Sequence, residues 1–247
     1  AYLQDTLQAG EVLGFDGRAV AMGEGLGYEA IAAAKGASIK YEYDLIDEVW
    51  EDRPALSEEP AFALDIKYTG ESVESKLGRI REVMKANGAT THVLTTLDDI
   101  CWTLNIRGND IEYFPLVLTY AVITMDKMDL YINEAKLDDQ MKADLAKDGV
   151  VLHPYNDIYE DIKNVTESET LLIDPANLNY ALYNNIPEGV KKVEKANPEI
   201  IFKAMKNPVE IENIRVAELK DSVAHVRFMK WLKENSRQDE DHRDECL

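Results

Sequence analysis

The run from Ser72 to Leu94, SVESKLGRIREVMKANGATTHVL, holds two periodicities end to end. Val73, Leu77, Ile80 and Met84 stand at i, i+4, i+7 and i+11, which lays one apolar stripe along a helix. Ser72 is a capping residue and Asn87-Gly88 a stop signal, so this helix is bounded at both ends. His92-Val93-Leu94 follows at once and reads as a strand. The alternation continues outward. Leu116 to Thr124 and Asp129 to Ile132 are two strand candidates separated by a Met125-Asp126-Lys127 turn. Leu137, Met141 and Leu145 mark a helix closed by Gly149, and Val150-Val151-Leu152 and Leu171-Leu172-Ile173 are further strands. Helices and strands taking turns in this way define an α/β layered domain with a mostly buried sheet.

Punctuation extends the reading toward the C-terminus. Asp174-Pro175, Asn197-Pro198 and Asn207-Pro208 each set a capping side chain before a proline at the first helical position, where the missing N–H costs nothing. Glu210, three residues after Asn207, completes a capping box. From Pro208 to about Glu234 the pattern predicts one long helix, with Ile211, Ile214, Leu219, Val223, Val226 and Trp231 among its apolar positions. Residues 236–247 are a polar tail without periodicity. Residues 41–60 carry eight acids (Glu42, Asp44, Asp47, Glu48, Glu51, Asp52, Glu58 and Glu59) against Arg53, together with Pro54 and Pro60. A domain boundary just after Trp50 is the natural expectation.

The 247 residues carry 27 basic and 47 acidic side chains, a net charge of −20. Such a surface repels phosphate backbones and anionic lipid, which sets nucleic-acid and peripheral-membrane roles aside. No uncharged stretch is longer than Tyr113 to Met125, which is too short to cross a bilayer and contains Pro115. No basic-then-apolar leader opens the chain, and Cys101 and Cys246 make no disulfide framework, so a reducing cytoplasm is expected.

Four constellations could carry chemistry. Gly25-Leu26-Gly27-Tyr28-Glu29-Ala30 matches G-x-G-x-x-A, with Asp44 nineteen residues on, as a dinucleotide-binding turn requires. The strand before it would be Arg18-Ala19-Val20-Ala21-Met22, less apolar than that motif demands, and a flexible turn before a surface helix is the competing reading. His92, His153, His225 and His242 are scattered without H-x-x-x-H spacing, and Asp239-Glu240-Asp241-His242 reads as a solvated charge run, so no metal site is expected. Cys101 beside Trp102 reads as a small buried apolar residue, not an activated thiol. In Leu97-Asp98-Asp99-Ile100-Cys101-Trp102-Thr103-Leu104-Asn105-Ile106-Arg107-Gly108-Asn109-Asp110 a helical turn runs into Arg107-Gly108, a sharp bend beside a guanidinium suited to gripping a carboxylate. An internal salt bridge of Arg107 to Asp110 or Asp98 is the structural alternative.

These residues also carry a family resemblance. The chain resembles the cytosolic three-domain Xaa-Pro aminopeptidases (aminopeptidase P) of the creatinase/prolidase superfamily. Trp50-Glu51-Asp52-Arg53-Pro54 is similar to their W-x-x-R-P junction between the first two domains, and Tyr68-Thr69-Gly70 with Lys76 and Leu77 to the start of the second. Leu97 to Trp102 and Arg107-Gly108-Asn109-Asp110-Ile111 resemble their LDEIAWLxNxRGxD segment, continued by Pro115 and Tyr120-Ala121. Ala204 to Asn207, Glu210, Ile211, Arg215, Asp221 and Trp231 resemble the entry helix of the third domain.

The resemblance implies mixed sheets flanked by helices, of the ribonuclease H-like creatinase/prolidase N-terminal type, followed by a "pita-bread" catalytic domain. That domain holds two manganese-type ions on two Asp, one His and two Glu, and cleaves before a proline at position two of short peptides. Those ligands follow the entry helix and find no match in Asn235 to Leu247. Asp99 and Asp110 imitate the spacing of the first two ligands but stand in the second domain. The stretch Gly10 to Arg18 is similar to the middle of the first domain.

The expected organisation is therefore a partial first domain over 1–50 and a complete second domain over 51–206. The entry helix over 207–235 and the polar tail 236–247 follow. The expected role is a non-catalytic fragment whose middle domain shapes access to the active site, with Arg107 and Asp110 facing its mouth and with no metal, catalytic residue or cofactor of its own. A stand-alone binding module, homodimerising through the long helix, is the second expectation, and a dinucleotide-binding protein the third.

Overall fold

In the computed structural model, which describes residues 2–236, the elements alternate as the periodicities require. The chain begins with α1 (Tyr2–Thr6), β1 (Val12–Gly14), α2 (Met22–Lys35) and β2 (Ser38–Lys40), the two strands pairing in parallel. After the irregular acidic segment come β3 (Phe62–Ala63), α3 (Ile66–Thr69) and α4 (Val73–Ala86). The middle runs through β4 (Thr91–Leu94), α5 (Leu97–Leu104), β5 (Ile106–Arg107), β6 (Thr119–Thr124), β7 (Met128–Ile132), α6 (Asp139–Lys147) and β8 (Val150–His153). It continues with α7 (Ile158–Asp161), β9 (Thr170–Ile173), α8 (Tyr180–Asn185), β10 (Lys191–Glu194), α9 (Pro198–Ala204) and α10 (Pro208–Asn235). The chain up to Ile66 together with Glu71–Met205 forms one compact unit. Lys67–Gly70 and, among the described residues, the segment 206–236 form a second.

Six strands make the central sheet of the first unit in the order β10-β9-β4-β6-β7-β8. β10, β9 and β4 are parallel, β6 runs antiparallel between β4 and β7, and β7 pairs β8 in parallel. Period-2 alternation assigns the side chains to two cores. Leu94, Ala121, Ile123, Leu130 and Leu172 pack with the stripes of α4, α5 and α6. Val93, Val122, Tyr131, Leu171 and Ile173 face the opposite core, closed by Met22 of α2, Ile158 of α7 and Leu182 of α8. This is the mixed sheet flanked by helices that the sequence predicts. In α4 the Ser72 hydroxyl accepts the Ser75 N–H at 3.2 Å, and Val73, Leu77, Ile80 and Met84 are all buried.

Three local expectations change. The strand predicted from Leu116 begins only at Thr119, because the Leu116 carbonyl and Leu118 N–H are taken by Asp110. Asp174-Pro175 starts a turn, not a helix. The Asp174 carboxylate accepts from Ala176 N–H and Asn177 Nδ2, and the next helix waits for Asn179, whose side chain caps α8 through Leu182 N–H. Arg18 to Met22 forms no strand; Ala21 makes a single bridge to Asn179, and Met22 already opens α2. In the second unit the capping box at Asn207 is formed in full. Its Oδ1 accepts from Val209 and Glu210 N–H, and Glu210 Oε2 accepts from Asn207 N–H.

Candidate functional site

The segment from α5 to β6 is built as a bend held from below. Trp102, Cys101 and Leu104 are buried, so α5 is anchored by its apolar face. It ends on Asn105 in the left-handed region (φ 54), a conformation asparagine tolerates. Lys76 underpins that turn: its buried ammonium donates to the Trp102 carbonyl at 2.6 Å and to Asn105 Oδ1 at 2.5 Å, and stands 4.3 Å from the Trp102 ring centroid. Asn105 Nδ2 in turn donates to the Glu71 carbonyl. The chain then enters β5, paired antiparallel with β3 so that Arg107 lies opposite Phe62.

Gly108 follows because a side chain would not fit. A Cβ there would stand 2.6 Å from Val117 Cγ2, well inside van der Waals contact. The returning segment closes the bend through Gly108 N–H to the Pro115 carbonyl and Asp110 N–H to the Leu116 carbonyl. At the tip, Tyr113 is held at φ 63 with 94% of its surface exposed, beside exposed Phe114 and Ile111. A non-glycine residue at such a φ is uncommon and costs backbone strain.

The two residues singled out in the sequence are both tied inward. Arg107 Nη1 donates to the carbonyls of Cys101 at 2.9 Å and Ile106 at 2.8 Å. Asp110 is buried: Oδ1 accepts from Lys136 Nζ at 2.5 Å and Oδ2 from Leu118 N–H at 2.7 Å. The side chains of Asp110 and Lys136 are 1% and 2% exposed, so the ion pair is a fully interior one. Lys136 is the residue that sequence reasoning missed. It closes a short 3-10 turn, Glu134–Lys136, in a polar stretch that reads as surface, and no local pattern marks a lysine that will be buried by tertiary contact.

The remaining candidates resolve into packing. Gly25 lies inside α2, not in a turn before it, and a Cβ there would fall within the Tyr180 ring. Asp44, the would-be ribose ligand, pairs with Arg53. Asp99 is buried apart from Asp110's partners; it accepts from Thr96 Oγ1 and from Lys203 Nζ at 2.6 Å. Burial pushes the Cys101 thiol above its usual range, which makes it inert at neutral pH. His92 is interior, with Nδ1 on the Leu172 carbonyl and Nε2 3.3 Å from Glu199 Oε2, while His153 Nε2 meets Asp129. Among the described residues no three of His, Cys, Asp and Glu cluster as metal ligands, so these residues do not fit a two-metal centre. His242, Cys246 and the tail beyond Ser236 lie outside the described residues.

A mixed six-stranded sheet, clad on both faces and bearing this inward-tied R-G-N-D bend, defines an α/β domain of the creatinase N-terminal type. Comparison fixes the family: residues 52–210 match the creatinase/prolidase N-terminal domain, and the chain belongs to it. A Xaa-Pro aminopeptidase 1 of Dictyostelium discoideum is 36% identical over 195 residues, covering 77% of this chain and 31% of its own length. A probable Xaa-Pro aminopeptidase P of Laccaria bicolor is 38% identical over 199 residues, covering 77% and 30%. The crystal structure of an X-prolyl aminopeptidase from Caenorhabditis elegans, described as a cytosolic enzyme with a di-nuclear active site, superposes with a TM-score of 0.89. It is 33% identical, over 94% of this chain and 39% of its own. The chain thus spans roughly a third of the length of the curated relatives it matches. No helix among the described residues is long and apolar enough to cross a membrane.

Proposed function

We propose that this chain is the non-catalytic, access-shaping portion of a cytoplasmic Xaa-Pro aminopeptidase. The observation that carries the reading is the superposition of 94% of the chain on 39% of an X-prolyl aminopeptidase. In this reading residues 1–50 belong to a first N-terminal domain and 51–206 form the complete second. Residues 207–235 are the helix that enters a catalytic domain. That catalytic domain supplies the two-ion chemistry, with manganese as the expected metal, and peptides with proline at position two are the substrates. The R-G-N-D bend faces the mouth of the active site. Arg107 braces the bend through the carbonyls of α5, and Asp110, locked to Lys136, fixes its shape. The test is direct: the purified chain, supplied with manganese and an Arg-Pro-Pro peptide, is expected to release no arginine. Chelator-sensitive hydrolysis would overturn the reading.

A second reading rests on α10. None of its residues is buried, and Val216, Leu219, Val223 and Val226 follow one another at spacings of 3, 4 and 3 residues on one stripe. An antiparallel pairing of two copies about Asp221 sets Val216 opposite Val226 and Leu219 opposite Val223. Light scattering tests it; a monomer at every concentration removes the dimer.

A further inference from the structure

A cavity of about 410 Å³ opens at one end of the central sheet. Ile132, the last residue of β7, and Pro154, which follows β8, both line it. β7 and β8 are parallel, so the cavity lies outside the carboxyl ends of a parallel pair, where α/β sheets place ligands. Its apolar wall is Leu118, Ile132, Pro154 and the Tyr155 ring, the last stacked 5.0 Å from Tyr120. A volume of this size suits a small organic ligand.

The polar lining is biased toward donors, and each donor is held by a bond on its other side. Asn133 Oδ1 accepts the Ala135 N–H at 3.1 Å, which fixes the amide and leaves Nδ2 without a partner among the described residues. Asn156 Oδ1 accepts from Arg18 Nη1 at 3.3 Å and leaves its own Nδ2 in the same state. Lys136 Nζ donates to Asp110 at 2.5 Å and to the Glu59 carbonyl at 3.5 Å, and as an ammonium it carries a third N–H. Glu134, an acid in the lining, is 49% exposed and turned to Lys142. Of these donors Lys136 is buried, Asn133 half-buried and Asn156 exposed at the rim; an anionic acceptor bonds such donors about twice as strongly as a neutral one.

We propose that this cavity binds an apolar monocarboxylate, its carboxylate on Asn133, Asn156 and Lys136 and its body against Leu118, Ile132 and Tyr155. The carboxylate could belong to a free acid or to the C-terminus of a dipeptide. The inference does not rest on the aminopeptidase reading and stands or falls separately from it.

The test is titration of the ¹⁵N-labelled chain with benzoate and with glycyl-proline, using benzamide and glycyl-prolinamide as neutral controls. Saturable shifts at the amides of Leu118, Asn133 and Asn156 are expected with at least one acid and not with its amide. The tighter of the two acids identifies the source. Asn133→Asp and Asn156→Asp keep the oxygens that serve Ala135 and Arg18 but replace the free donors by anionic oxygens. Each is expected to weaken the acid by about tenfold or more, the equivalent of one charge-assisted hydrogen bond, with the unfolding midpoint largely kept. No saturable shift with either acid, equal binding of acids and amides, or indifference to both substitutions would overturn the proposal.

Discussion

At the scale of single residues, Asp110 and Gly108 do the most to hold the R-G-N-D bend. Removing one partner of an interior ion pair leaves the other charge buried and uncompensated, which costs about 3–5 kcal/mol. Asp110→Ala strands the Lys136 ammonium and also frees the Leu118 N–H, so a loss in that range is expected from urea unfolding. The double variant Asp110→Leu/Lys136→Met removes both charges and is expected to recover much of it, because an apolar pair of similar volume is often neutral. A double variant no more stable than the single would show that the pair is not the source of the loss. Gly108→Ala forces Val117 to move; overpacking of this kind costs about 1–3 kcal/mol, read as a lowered thermal midpoint. The sequence announced the bend through Arg107-Gly108 but not its anchor. An aspartate in a polar loop looks the same on the page whether it meets water or a lysine 26 residues away.

Among elements, α9 shows how a buried titratable pair attaches a helix to a sheet. Glu199, fully buried in its first turn, faces His92 of β4, and Lys203 one turn later bonds Asp99 and Asp98 of α5. Burial alone would push the His92 imidazole down. The Glu199 carboxylate and the Leu172 carbonyl, with Asp99 nearby, more than reverse this and raise it above its ordinary value. The sign follows from linkage. A raised imidazole contributes stability fully present below the unfolded value of about 6.5 and lost as pH climbs through the higher folded value. The urea midpoint of the wild-type chain is therefore expected to fall across that window, and that of His92→Gln to stay flatter. Parallel profiles for the two would remove His92 as the cause. Sequence periodicity reads elements such as α4 and α10 well, because stripes and caps are local. It misplaces Asp174-Pro175, where the same capping chemistry closes a turn because the Asp174 carboxylate also accepts the distant Asn197 N–H.

For the whole first unit, the acidic segment 41–60 looks like the natural place to divide the chain, and the packing argues that its flanks do not part there. Tyr180 of α8 is fully buried beneath Gly25 of α2, and its hydroxyl donates to Glu29 at 3.0 Å. Backbone bonds run the same way: Met22 N–H to the Leu178 carbonyl, Gly23 N–H to Pro175, Tyr180 N–H to Val20 and Ala181 N–H to Gly17. Phe15 and Tyr41 both meet the Tyr180 ring, with centroids 5.5 and 5.0 Å away. Removing residues 1–50 would expose this aromatic and leave those polar groups to water, whereas cutting the segment between them would break none of the contacts. A chain nicked by protease between Glu42 and Glu59 is therefore expected to elute as one species from a sizing column, both pieces together. The chain shortened to 51–247 is expected to unfold at a lower temperature and to bind a hydrophobic dye. Separate elution of the two nicked pieces would show that the contacts around Tyr180 are too weak to hold them. An unchanged midpoint after truncation would show that the sheet needs no cover from α2 on that face.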